Sequence, residues 1–80
     1  MNKAQLKQRL PEPGTRPDAY YMDDGMPPDE TYVLEEVYGR WFVYYSERGL
    51  RSGEGEFTSE DAACRDLLER LERDPTTKRV

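Results

Sequence analysis

From Thr31 to Leu71 the apolar residues fall into two rhythms, first alternating and then helical. Thr31-Tyr32-Val33-Leu34-Glu35-Glu36-Val37 has the β-branched and aromatic make-up of a strand. Arg40 to Tyr45 is a second and clearer strand, with Trp41, Val43 and Tyr45 on one face and Phe42 and Tyr44 on the other. Large side chains on both faces predict a central strand, with a helix covering one side and part-exposed aromatics on the other. Tyr38-Gly39 between the two runs predicts a tight hairpin, with Gly39 supplying the positive φ that such turns need. Ser46-Glu47-Arg48-Gly49 reads as a polar turn, and Leu50 to Phe57 returns as a weaker third strand. Gly53 and Gly55 interrupt that strand, which predicts a bulge, an edge position or the close approach of another backbone.

The rhythm then changes. Cys64, Leu67, Leu68 and Leu71 recur at helical spacing with Ala63 beside them, while Asp66, Glu69, Arg70 and Glu72 are expected to face water. Thr58 or Ser59 can cap this helix, Glu60 and Asp61 suit its positive end, and Asp74-Pro75 stops it. Upstream, Asn2 to Leu10 can form a short helix with Asn2 as its cap, ended by Pro11 and Pro13. The stretch between is rich in Pro, Gly and Asp, with Tyr20-Tyr21-Met22 as a possible short strand and Asp24-Gly25 as a turn signal.

The elements predict an α+β fold: a small antiparallel sheet of three to four strands, a C-terminal helix packed on one face and a short N-terminal helix. The expected division is a single domain, 1–80, with a helix over 1–10, a loop over 11–30, strands over 31–57, a helix over 58–73 and a tail over 74–80. An 80-residue chain buries only about 60% of its unfolded surface, so its stability is marginal without help. Disulfides and metals offer none, because Cys64 is the only cysteine and histidine is absent. Partner binding is the remaining source.

Charge narrows the partners. The formal net charge of −5 disfavours nucleic acid, because neutralising phosphates needs clustered Lys and Arg. Acidity suits docking on a basic protein surface. Without a long apolar run, no membrane span or signal-peptide core is expected, and the free thiol fits a reducing, cytoplasmic setting.

Catalytic chemistry finds little support. Cys64 sits on the apolar stripe with no histidine to activate it, so it reads as a small core hydrophobe rather than a nucleophile. Glu35-Glu36, Asp23-Asp24 and Glu54/Glu56 could act as paired carboxylates only across a cleft that so small a chain has little room to form. Arg48 and Arg51 could hold an anion, but neither stands in a glycine-rich loop ahead of a helix. The aromatic run could stack bases, but no basic groove accompanies it. No enzyme activity, cofactor or metal is therefore expected. The candidate contact residues are Tyr20, Tyr21, Asp23 and Asp24 in the first loop, where acid and tyrosine lie together, and Ser46, Glu47, Arg48 and Arg51 around the second turn.

Some of these segments also resemble a known family. They are Asp18-Ala19-Tyr20 with Asp24-Gly25-x-Pro27, Trp41-x-Val43-Tyr44-Tyr45-Ser46-Glu47-Arg48-Gly49, Phe57-x-Ser59-Glu60, Ala63-Cys64-x-x-Leu67-Leu68 and Asp74-Pro75-Thr76. Together they resemble small bacterial immunity proteins encoded beside toxins with a tuberculosis necrotizing toxin-like domain. Those toxins hydrolyse NAD or NADP. The resemblance implies a cytoplasmic inhibitor that binds its cognate toxin and blocks the active site. The residues alone leave a second reading open, that of an interaction or regulatory module unrelated to toxins.

Overall fold

The computed structural model describes residues 1–10, 14–23 and 25–77. The elements are helix α1 (Lys3–Arg9), strands β1 (Tyr20–Tyr21), β2 (Thr31–Val37), β3 (Arg40–Glu47) and β4 (Leu50–Phe57), and helix α2 (Glu60–Arg73). Single 3-10 turns occupy Pro17–Ala19 and Pro75–Thr77. The fold is α+β as expected, with β4 as the last strand of a sheet ordered β1-β2-β3-β4. β2, β3 and β4 are antiparallel neighbours, whereas β1 runs parallel to β2 with Tyr20 opposite Tyr32 and Tyr21 opposite Val33. The sheet is therefore mixed rather than wholly antiparallel.

Both hairpins turn on two residues with positive φ, Tyr38 (50°) with Gly39 (81°) and Arg48 (51°) with Gly49 (78°). This handedness matches the right-handed twist of the strands on either side. On β4, two residues, Gly53 and Glu54, stand opposite Tyr44 alone, because Val43 pairs with Gly55 and Tyr45 with Ser52. Gly53 takes the positive φ of 63° that this bulge demands.

α2 lies on one face of the sheet. Its Ala63, Cys64, Leu67 and Leu71 pack with Leu34, Val43, Leu6, Leu10, Ala19 and Met22 into one core, and Trp41, Phe57 and Tyr32 close its margin. Ser59 caps α2, its Oγ accepting from the Ala62 amide at 3.2 Å. Asn2 caps α1 in a reciprocal box with Gln5, and the Lys3 amide donates to Glu60 Oε2 at 2.9 Å, fixing α1 to the start of α2.

Two sequence expectations change. Asp66 and Arg70 are half-buried rather than open to water, paired at 2.7 Å. The Arg70 guanidinium lies over the glycines of β4: a Cβ on Gly55 would come within 3.2 Å of Arg70 Nη2 and of the Phe57 ring. The glycines thus make the slot that holds this side chain. The C-terminal segment, expected as a tail, is docked through Thr77. Thr77 is buried, its Oγ1 donates to the Leu71 carbonyl at 2.8 Å, and its own carbonyl accepts from the Arg16 amide at 2.7 Å. Residues 78–80 lie outside the described residues.

Candidate functional site

The face of the sheet opposite α2 has its own cover. After β1 the chain turns through Gly25, Met26, Pro27 and Asp29 toward the β3–β4 turn, and between the two opens a cleft of about 360 Å³. Glu35, Tyr44, Ser46, Gly49, Leu50 and Arg51 line its other side. Met26 and Leu50 stand at its rim and are largely exposed, 91% and 71%. Exposed apolar groups beside a concave, partly charged surface are the usual make-up of a protein-docking patch.

The polar wall of the cleft is held in place by several contacts. Pairing sets Glu35 against Phe42 and Arg51 against Ser46, on strands that flank Tyr44. The Arg51 guanidinium stacks 4.3 Å from the Tyr44 ring centroid. Its Nη1 donates to Glu54 Oε2 at 2.8 Å and lies 2.9 Å from Glu35 Oε1, the latter an ionic contact without hydrogen-bond alignment. The Glu54 bond and the neighbouring Tyr44 and Glu35 hold Arg51 more firmly protonated than usual. Burial, and then the Glu35 charge, raise the Tyr44 hydroxyl's pKa. The result is a half-exposed cation held over an aromatic ring between two carboxylates.

A second concavity, about 640 Å³, opens on the helix side at the end of α2, lined by Tyr32, Tyr45, Ser52, Gly53, Arg70, Arg73, Asp74 and Pro75. Tyr32 and Tyr45 meet edge to face at 4.9 Å, and the Tyr32 hydroxyl donates to Asp74 Oδ2 at 2.8 Å. Burial first, and then that bond, push the Tyr32 pKa up to about 12.

The expected contact residues are distributed as follows. Ser46 and Arg51 both line the cleft, Ser46 buried in its floor. Glu47 and Arg48 are exposed on the adjoining turn. Tyr21 is half-buried on β1, and its hydroxyl is 3.4 Å from where a Cβ on Gly25 would stand. Tyr20, on the same strand, packs against the core instead. Asp23 is exposed and accepts from Lys7 Nζ at 2.9 Å. Asp24 lies outside the described residues. Met26, Leu50, Tyr44 and Glu35 were not among the expected contacts. A methionine and a leucine set beside turn glycines, where packing does not require them, were the available signal for the first two.

Cys64 is fully buried in the core, where burial raises its thiol pKa. Among the described residues no group of three or more His, Cys, Asp and Glu side chains is placed to hold a metal, and no helix is long and apolar enough to cross a membrane. Comparison with known protein families, characterised proteins and solved structures finds no match to this chain.

Proposed function

We propose that this chain is a non-enzymatic binding domain serving as the immunity partner of an NAD(P) glycohydrolase toxin, and that it inhibits by covering the toxin's active site. The segment resemblance supplies the toxin class. The observation that supports a docking role is the cleft lined by the exposed Met26 and Leu50, with the Arg51 guanidinium over the Tyr44 ring beside them. Buried aromatic and arginine anchors with apolar neighbours carry most of the energy in protein interfaces. The chain's net charge of −5 complements the basic surface that a toxin needs to hold a dinucleotide's phosphates.

The test uses a purified NAD(P) glycohydrolase of the tuberculosis necrotizing toxin-like class. NAD hydrolysis is measured against increasing amounts of the intact protein. The expected result is loss of turnover at about one equivalent. Leu50→Asp and Met26→Asp, which change exposed side chains, should each weaken inhibition by about tenfold or more, the scale of a lost interface anchor. Undiminished turnover at stoichiometric excess of the folded protein overturns the toxin reading.

A further inference from the structure

β4 is the outer strand of the sheet, and none of the described elements pairs with its free edge. Residues 50–54 and 56 are exposed along it. Exposed strand edges invite a further strand, and charged residues or a bulge ordinarily discourage one. Both features are present on β4, but their placement favours one particular partner.

The bulge shifts the alternation of faces. Phe57 and Gly55 pair with Trp41 and Val43, and Ser52 pairs with Tyr45, so all three stand on the helix-covered face. Glu56 and Arg51, opposite Phe42 and Ser46, stand on the other. In a regular strand, residues five apart would point to opposite faces. Because Gly53 and Glu54 together occupy one position opposite Tyr44, Arg51 and Glu56 share a face, and so do Ser52 and Gly55. About the midpoint between Gly53 and Glu54, residues 50–52 and 55–57 therefore read alike in both directions, except that Arg51 and Glu56 are opposite in sign; Glu54, the third charge of the strand, stands beside the midpoint.

We propose that the free edge of β4 pairs antiparallel with β4 of a second copy of this chain, about a two-fold axis through that midpoint. This register sets Arg51 against Glu56 of the second copy and Glu56 against its Arg51. Ser52 meets Gly55, and Leu50 comes alongside Phe57 at each end. Two opposite-charge pairs form, each on a single face, as cross-strand contacts require, and they compete with the pairs that Glu56 makes to Arg40 and Arg51 makes to Glu54 and Glu35 within each copy. Moving the register by two residues in either direction separates Arg51 from Glu56 and loses both pairs. The two sheets become one continuous eight-stranded sheet, and the contact is isologous, as a two-fold interface must be. The proposal does not depend on the toxin reading.

Sedimentation velocity and native mass spectrometry on the full chain, over a range of concentrations, test it. The unaltered protein should show a concentration-dependent dimer. Arg51→Glu and Glu56→Arg each set like charges together twice, so each variant alone should dissociate at least tenfold more readily. An equimolar mixture of the two restores unlike pairs at both positions. It should recover the dimer, with one copy of each variant in every particle. Circular dichroism of each variant confirms that these exposed substitutions leave the fold intact. A wild-type monomer at every concentration, single variants that dimerise as well as wild type, or a mixture that stays monomeric overturns the proposal.

Discussion

Tyr38 offers a sharp test of how the first hairpin is built. Its ring is fully exposed, and its φ of 50° lies in the left-handed region. A side chain with a Cβ loses about 1–2 kcal/mol there relative to ordinary backbone. Asparagine tolerates the region through local hydrogen bonding, and Asn-Gly is the preferred pair for a two-residue turn of this hand. Because the ring buries no surface, removing it forfeits no packing. Tyr38→Asn should therefore stabilise the protein by about 0.5–1 kcal/mol, part of that strain. For a domain of this size the gain raises Tm by about 2–8 °C. Urea unfolding followed by the fluorescence of Trp41, half-buried on the next strand, measures the change directly. The slope with denaturant should not alter, since the surface exposed on unfolding is nearly the same. A fall in stability would refute the reasoning, because it would mean that the ring makes contacts that its exposure denies.

Two further outcomes test the core and the helix-side concavity. Leu67→Ala, at a fully buried position on α2, should cost about 2–5 kcal/mol in the same assay; a loss below about 1 kcal/mol would mean that the helix does not seal the core. Tyr32, with its pKa raised to about 12, stabilises the fold in its neutral form. Its contribution is complete below its ordinary pKa near 10 and is lost as pH rises toward 12. The full shift corresponds to a ceiling of about 2.7 kcal/mol. Partial exposure and solvent screening reduce that to about 1 kcal/mol. Unfolding free energies between pH 9 and 12 should therefore fall more steeply for the wild type than for Tyr32→Phe, and equal slopes would mean that burial and the Asp74 bond do not hold this hydroxyl protonated.

Most of the architecture was legible because its signals are local. Gly39 and Gly49 mark the two turns, the alternation around Trp41 marks the central strand, and the spacing of Cys64, Leu67 and Leu71 marks the helix. Even the irregularity of β4 was visible in Gly53 and Gly55. The parallel placement of β1 was not, since two residues carry no periodicity and their neighbour is set by the path of the loop that follows. The docking of Thr77 was hidden for a similar reason: its partners are the Leu71 carbonyl and the Arg16 amide, and backbone groups leave no trace in side-chain pattern. Arg70 was misjudged because a charged residue on a helix ordinarily faces water. Only the missing Cβ atoms on the opposing strand make room for it. Among the candidate contact residues, Ser46 and Arg51 flank one turn in the sequence and line one cleft in the structure. Sequence could not join them to Met26, which reaches the same cleft from 20 residues upstream.

The cleft and the free edge of β4 share residues, and that overlap has a thermodynamic consequence. Leu50 and Arg51 line the cleft and also lie on the free edge of β4. A second copy on that edge would cover Leu50 and draw Arg51 toward the neighbouring Glu56, away from its seat between Glu35 and Glu54. A toxin engaging the cleft would need the same two residues. Under both proposals, dimer and toxin complex therefore exclude one another, and each equilibrium is linked to the other through the free monomer. A single strand edge with two exposed ion pairs gives a weak contact, since exposed pairs contribute little each. A cleft that joins exposed apolar side chains to an arginine over an aromatic ring can gain more from one partner. The dimer would then serve as the resting form, masking an exposed leucine until the tighter partner displaces it.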